Sequence, residues 1–128
     1  MATQWRSAST SEPTWLTSNQ RIVCAVEIAR TRSARRRGLI GRESFDGALW
    51  ITRCRRVHTF RMAFPIDVAF VDRANRIVAI QTIDPNRISA FHRSGAAVVE
   101  SYAGSMRKWG LSVGDVLALT TDHSDSTR

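Results

Sequence analysis

Lysine is nearly missing from this chain: 19 of its 128 residues are Lys or Arg, and Lys108 is the only lysine. Set against 11 acidic residues, the basic side gives a formal net charge of +8, carried almost wholly by arginine. Cysteine is scarce too. Cys24 and Cys54 form no C-x-x-C pair and no four-ligand spacing, so a zinc ribbon, a dithiol redox motif and a disulfide framework are all excluded. No apolar run is long enough for a helix to span a bilayer. The N-terminal stretch has no signal-peptide hydrophobic region, so a reducing cytoplasm is the expected setting. Gly38, Gly41 and Gly47 lack the G-x-x-x-x-G-K spacing of a phosphate loop. There are no internal repeats.

Two arginine clusters stand out: Arg30, Arg32, Arg35, Arg36 and Arg37, then Arg53, Arg55, Arg56 and Arg61. Such clusters attract anionic partners, nucleic acid among them, or simply keep a surface solvated. A basic count by itself gives only salt-sensitive, non-specific attraction, so nucleic acid is not the favoured partner.

Residues 1–20 are rich in Ser and Thr and read as a flexible arm carrying Trp5 and Trp15. Residues 21–120 read as one globular domain, and residues 121–128 as a polar tail. About 100 residues are enough for a core without metal or disulfide.

Within that domain, 21–28 (RIVCAVEI) is β-branched and partly alternating, a first strand. Thr31 or Ser33 can cap a short helix through the arginines, closed by Gly38, with Leu39 and Ile40 turned to the core. Residues 48–51 form a strand. Residues 57–62 alternate, which places His58, Phe60 and Met62 on one face and Thr59 and Arg61 on the other. Residues 66–71 and 76–80 flank the turn Asp72-Arg73-Ala74-Asn75 and predict a hairpin. Residues 84–95 are a long loop, 96–100 a strand, 105–109 a short helix closed by Gly110, and 116–119 a last strand. The sum is an α+β domain, mainly antiparallel β, a curled sheet or small barrel with two short helices.

The ordered residues Ala29 and Thr31; Arg35, Gly38, Leu39, Gly41 and Arg42; Pro65, Asp67, Phe70 and Asp72; Val98 and Glu100; Gly114 and Asp115 resemble the domain-of-unknown-function family 192 across residues 22–119. The resemblance implies a compact domain of this size and supplies no reaction. The family's common F-W-M-K-N-T before Pro-x-Asp reads here Val57, His58, Thr59, Phe60, Arg61 and Met62, so its Lys, Asn and Thr are absent.

Chemistry concentrates around residues 57–72, where polar groups emerge from apolar strands. An unpaired buried carboxylate is costly, so Asp67 needs partners. It can pair with His58, or grip Arg42 through two hydrogen bonds. On an unbroken strand His58 and Asp67 would face opposite ways, and only an interruption at Pro65 would align them. Glu100, after two valines, is a candidate for burial and a raised pKa. Cys54, between Arg53 and Arg55, sits where a positive field can lower a thiol pKa. No catalytic constellation is complete, and neither metal nor cofactor is expected. The expected function is a monomeric binding module for a small anionic or polar ligand, lined by Arg42, His58, Arg61, Asp67 and Glu100. The alternatives are a hydrolase or isomerase using His58 with Asp67 or Glu100, and a basic accessory to nucleic acid or an anionic surface.

Overall fold

A computed structural model describes residues 13–121. The expectations for residues 1–12, Trp5 included, and for 122–128 lie outside the described residues. Seven strands, β1 (Thr14–Ser18), β2 (Arg21–Ile28), β3 (Ala48–Thr52), β4 (Ile66–Val71), β5 (Ile77–Ile83), β6 (Ala97–Tyr102) and β7 (Leu117–Thr120), form one sheet in the order β5-β4-β6-β3-β2-β1-β7. Two short helices join them, α1 (Arg32–Arg37) and α2 (Ser105–Lys108). All pairings are antiparallel except β2 with β3. A parallel neighbour needs a crossover over the face of the sheet. Residues 29–47, carrying α1, make it.

The sheet curls but does not close. Its outer strands touch at one corner, through the bridge Arg76–Val116 and the bonds Ile77 N–H to Asp115 O (2.9 Å) and Leu117 N–H to Asn75 O (2.8 Å). Of the two expected shapes it is therefore the curled sheet.

Both faces are packed. One carries Trp50, Ala69, Val71, Val99 and, from α2, Met106; the other carries Leu39, Leu49, Ile51, Val68, Phe70 and Val98. All six residues of β4 are buried, so its alternation sorts side chains between two cores and not between core and water. At roughly 25 cal/mol per Å² of apolar surface, these two cores supply the main driving force for folding.

The local signals behave as expected at several points. The Thr31 hydroxyl accepts the Ala34 N–H at 3.0 Å and caps α1; Gly38 ends the helix at φ +54°. The Asp72 carboxylate accepts from the Ala74 and Arg76 amides, both at 2.9 Å, and Asn75 takes φ +63° to complete the hairpin turn.

Two expectations are overturned. Residues 14–20 are not part of an arm. Thr14–Ser18 pair with both β2 and β7, and Leu16 is fully buried. Asn19 and Gln20 at φ +50° and +73° form a tight two-residue hairpin of the mirror-image type. The Ser/Thr-rich surroundings mask the alternation of Thr14-Trp15-Leu16-Thr17. Residues 57–62 are likewise not a strand. Arg61 adopts φ +65° and the Met62 N–H turns back to Thr59 O (3.1 Å), which leaves Arg61 exposed and Met62 buried, so neither keeps the side the alternation gave it. Thr59 is buried, while His58 and Phe60 are exposed. The Thr59 hydroxyl donates to Asp84 O (2.6 Å) and accepts from Arg87 N–H (2.9 Å), so the segment is anchored to the 84–95 loop.

Candidate functional site

The structure disperses the five candidate residues. Asp67 projects into the face that holds Val71 and Val99, where its partners are all scaffold. Oδ1 accepts from the Thr82 hydroxyl (2.7 Å), and Oδ2 accepts from the Gly104 (2.9 Å) and Met106 (3.2 Å) amides. It is 3% exposed and fastens the start of α2 to β4. Arg42 grips Glu27 through two bonds of 2.7 and 3.1 Å and lies over the Phe45 ring at 5.0 Å, so the guanidinium does not meet Asp67. Arg61 is exposed, with its amide bonded to Asn86 Oδ1 at 3.2 Å.

Glu100 and His58 do come together, around one cavity. In β6, Glu100 pairs between Leu49 of β3 and Val68 of β4, so it occupies a carboxylate's place in an apolar row. It is 4% exposed. Burial pushes its pKa up from 4.5 to about 7, while the Leu39 amide bonded to it pulls the other way. The crossover roofs it closely. A Cβ on Gly38 would lie 2.8 Å from Glu100 Oε1, so this position needs glycine for space as well as for its φ.

The cavity holds about 220 Å³. Leu39, Ile40, Ile51, Val57 and Met62 give it apolar walls; Arg35, Arg36, Arg37 and Arg56 supply guanidinium groups; Cys54, His58 and Glu100 add the remaining polar atoms. Residues 57–62 form one wall, held to the 84–95 loop by reciprocal bonds: Val57 N–H to Ser89 Oγ (2.9 Å) and Ser89 N–H to Val57 O (2.8 Å). The His58 ring stacks on Phe60 at 4.9 Å, and its Nδ1 accepts the Phe60 amide at 3.4 Å. His58 also borders an outer hollow of about 260 Å³ shared with Arg56, Val57, Phe60 and Ile88. Phe60 and Ile88 are exposed there.

The arginines around Cys54 do not activate it. Burial raises the thiol pKa and the nearby Glu100 raises it further, with the Arg56 backbone opposing them only in part. The Cys24 thiol is pushed up to about 12 by burial, with Asp46 adding to it, so it behaves as a small hydrophobe. Among the described residues no group of three or more His, Cys, Asp or Glu side chains could hold a metal. His92 packs its ring 4.0 Å from that of Phe70.

Sequence reasoning missed the roof. Arg35, Gly38 and Leu39 were legible as a helix end, but their position over Glu100 follows from the parallel crossover, which local patterning does not reveal.

A family model, DUF192, described as an uncharacterized ACR, matches residues 14–119. The chain belongs to DUF192. The match starts at β1, which agrees with the placement of that strand in the sheet. Among solved structures, this DUF192 chain resembles a protein of unknown function from Novosphingobium aromaticivorans DSM 12444, with 21% identity, 83% of each chain covered and a TM-score of 0.69. It also resembles a "putative transcription regulator" from Sinorhizobium meliloti 1021, with 26% identity, 86% of this chain and 94% of that one covered, and a TM-score of 0.71. No curated protein matches it. Among the described residues no helix is long and apolar enough to cross a membrane.

Proposed function

We propose that this DUF192 protein is a small binding module whose ligand carries an apolar body and an anionic or polar head, held in the Glu100 cavity. One observation carries the reading. A buried carboxyl group lines a cavity whose other charged groups are guanidiniums, yet none of them is paired with it: among the described residues the one ion pair is Arg42–Glu27. Apolar walls with a few convergent polar groups are the usual make-up of a small-molecule site. The ligand's apolar part lies against Leu39, Ile51 and Met62, its anionic head meets the arginines, and Glu100 exchanges a hydrogen bond with a polar atom.

The test is a titration of the ¹⁵N-labelled protein with small carboxylates that carry apolar bodies, hexanoate and phenylacetate first. The Leu39, Ile51 and Val57 amides shift saturably, and Arg56→Ala weakens binding by about tenfold, the scale of one charge-assisted hydrogen bond. If these amides stay still for the whole panel, the reading is lost.

A second reading has its own support. His58 and Glu100 line the same cavity, and a carboxyl pKa of about 7 suits an acid–base pair. In that case His58→Ala abolishes turnover at an unchanged melting temperature. The DNA-binding reading has less support. Helices of six and four residues are too short to serve as major-groove recognition helices.

A further inference from the structure

A second hollow, of about 410 Å³, lies away from Glu100 and is lined by Arg53, Arg55, Arg73, Gly95 and Ala96. The sheet register explains why these residues meet. Thr52, Ala97 and Val71 lie in one cross-strand row. The chain leaving β3, the chain entering β6 and the turn after β4 therefore share one end of the sheet. The Arg53 N–H donates to Ala96 O at 2.7 Å, and the Ala96 N–H donates to Val71 O at 2.7 Å, so the three segments are laced together.

The Arg55 guanidinium is held, not trailing. Arg55 Nε donates to Gly95 O at 2.9 Å, which fixes the plane of the group and leaves both terminal amino groups unspent by that bond. Gly95 permits the close approach: a Cβ there would stand 3.1 Å from His92 O and 3.7 Å from the Arg55 Cγ. Arg53 holds φ +58°, a left-handed conformation that is strained for a residue with a β-carbon and persists only where its surroundings impose it.

Among the described residues no acidic side chain lines the hollow, and the one ion pair is elsewhere. Three like charges gathered without a counter-charge repel one another until an anion enters. We propose that Arg53, Arg55 and Arg73 form a site for the phosphate group of a small phosphorylated molecule or a diphosphate. A phosphate offers several acceptor oxygens and up to two charges to the planar forks of arginine, more than a single carboxylate can. Among the described residues the lining contains no aromatic or large apolar side chain, so they offer no platform on which the bases of a single strand would stack. The site reads the phosphate and leaves the body of the ligand in the open part of the hollow. It is independent of the Glu100 cavity and of any ligand bound there.

The experiment is a ¹⁵N titration of the full chain that includes the arginine Nε–H signals, with inorganic pyrophosphate, adenosine 5′-monophosphate and a single-stranded dT oligonucleotide as separate probes. Pyrophosphate shifts the Arg55 Nε–H and the Gly95 and Ala96 amides saturably at moderate salt. Arg73→Ala weakens binding about tenfold or more. Arg107→Ala, which removes the same charge from α2, leaves it within about twofold. Equal weakening by Arg107→Ala would reduce the effect to net charge and overturn the site. So would pyrophosphate and the monophosphate leaving these signals unmoved, whether or not the oligonucleotide binds. A saturable response to either small phosphate, tighter per phosphate than the oligonucleotide's, upholds it.

Discussion

Glu100 is the residue whose ionisation the fold opposes most clearly, and the sign of the effect can be worked out. Below pH 4.5 its carboxyl is protonated whether the chain is folded or not. Between 4.5 and about 7 the unfolded chain releases the proton while the folded protein keeps it, so stability falls as pH rises through that window. The full loss is on the order of 3 kcal/mol. Urea unfolding from pH 4 to pH 8 will show Glu100→Gln gaining on the wild type by that amount across the window; parallel curves would mean that Glu100 ionises freely. The carboxylate was legible as a candidate because it follows Val98 and Val99. Arg42 and Asp67 were equally conspicuous, yet their partners, Glu27 in one case and two backbone amides with the Thr82 hydroxyl in the other, are matters of three-dimensional position that spacing along the chain does not encode.

Among the elements, β4 does two jobs on its two faces. Ile66, Val68 and Phe70 pack toward the cavity side, and Asp67 ties down α2 on the other. Asp67→Ala leaves two amides and a hydroxyl without their acceptor, and thermal or urea unfolding will record a loss of about 3 kcal/mol. Ligand affinity at the Glu100 cavity stays unchanged, because the two acids face opposite sides of the sheet. A matching loss of affinity in a variant that remains folded would place Asp67 in the site after all. The helix of the crossover is held more lightly than its exit at Leu39. No residue of α1 is buried, and the Arg42–Glu27 pair is 38% and 52% exposed, a setting in which an ion pair contributes under about 1 kcal/mol. Helix caps and the β4–β5 turn were readable because their chemistry is local. The 57–62 segment was misread because its alternation is genuine as a pattern, while Arg61 in the left-handed region breaks the strand that the pattern implies.

For the molecule as a whole, the charge balance is the dominant electrostatic fact. The chain carries +8, and among the described residues only one ion pair offsets it locally. Self-repulsion of that kind lowers the stability of the compact state and is screened by salt, with a Debye length near 10 Å at 0.1 M. The melting temperature therefore rises between 20 mM and 300 mM NaCl at pH 7, before any ligand is added. A flat or falling profile would show that the arginines are too widely spaced to oppose one another. The architecture as a class was evident from the strand count and the shortness of the helices. The strand order was not, since nothing in TWLTS indicates that its neighbours are residues 21–26 on one side and 117–120 on the other.

That last adjacency has a kinetic consequence. Thr17 reaches Ala118 across 101 positions of chain. Ladders between such distant segments wait on the entropy of loop closure and slow the search for the native state. During synthesis β1 emerges first of the seven strands, and one of its two flanks stays bare until β7 has been made. Assembly of this border is therefore a late event, completed after translation has delivered the final strand.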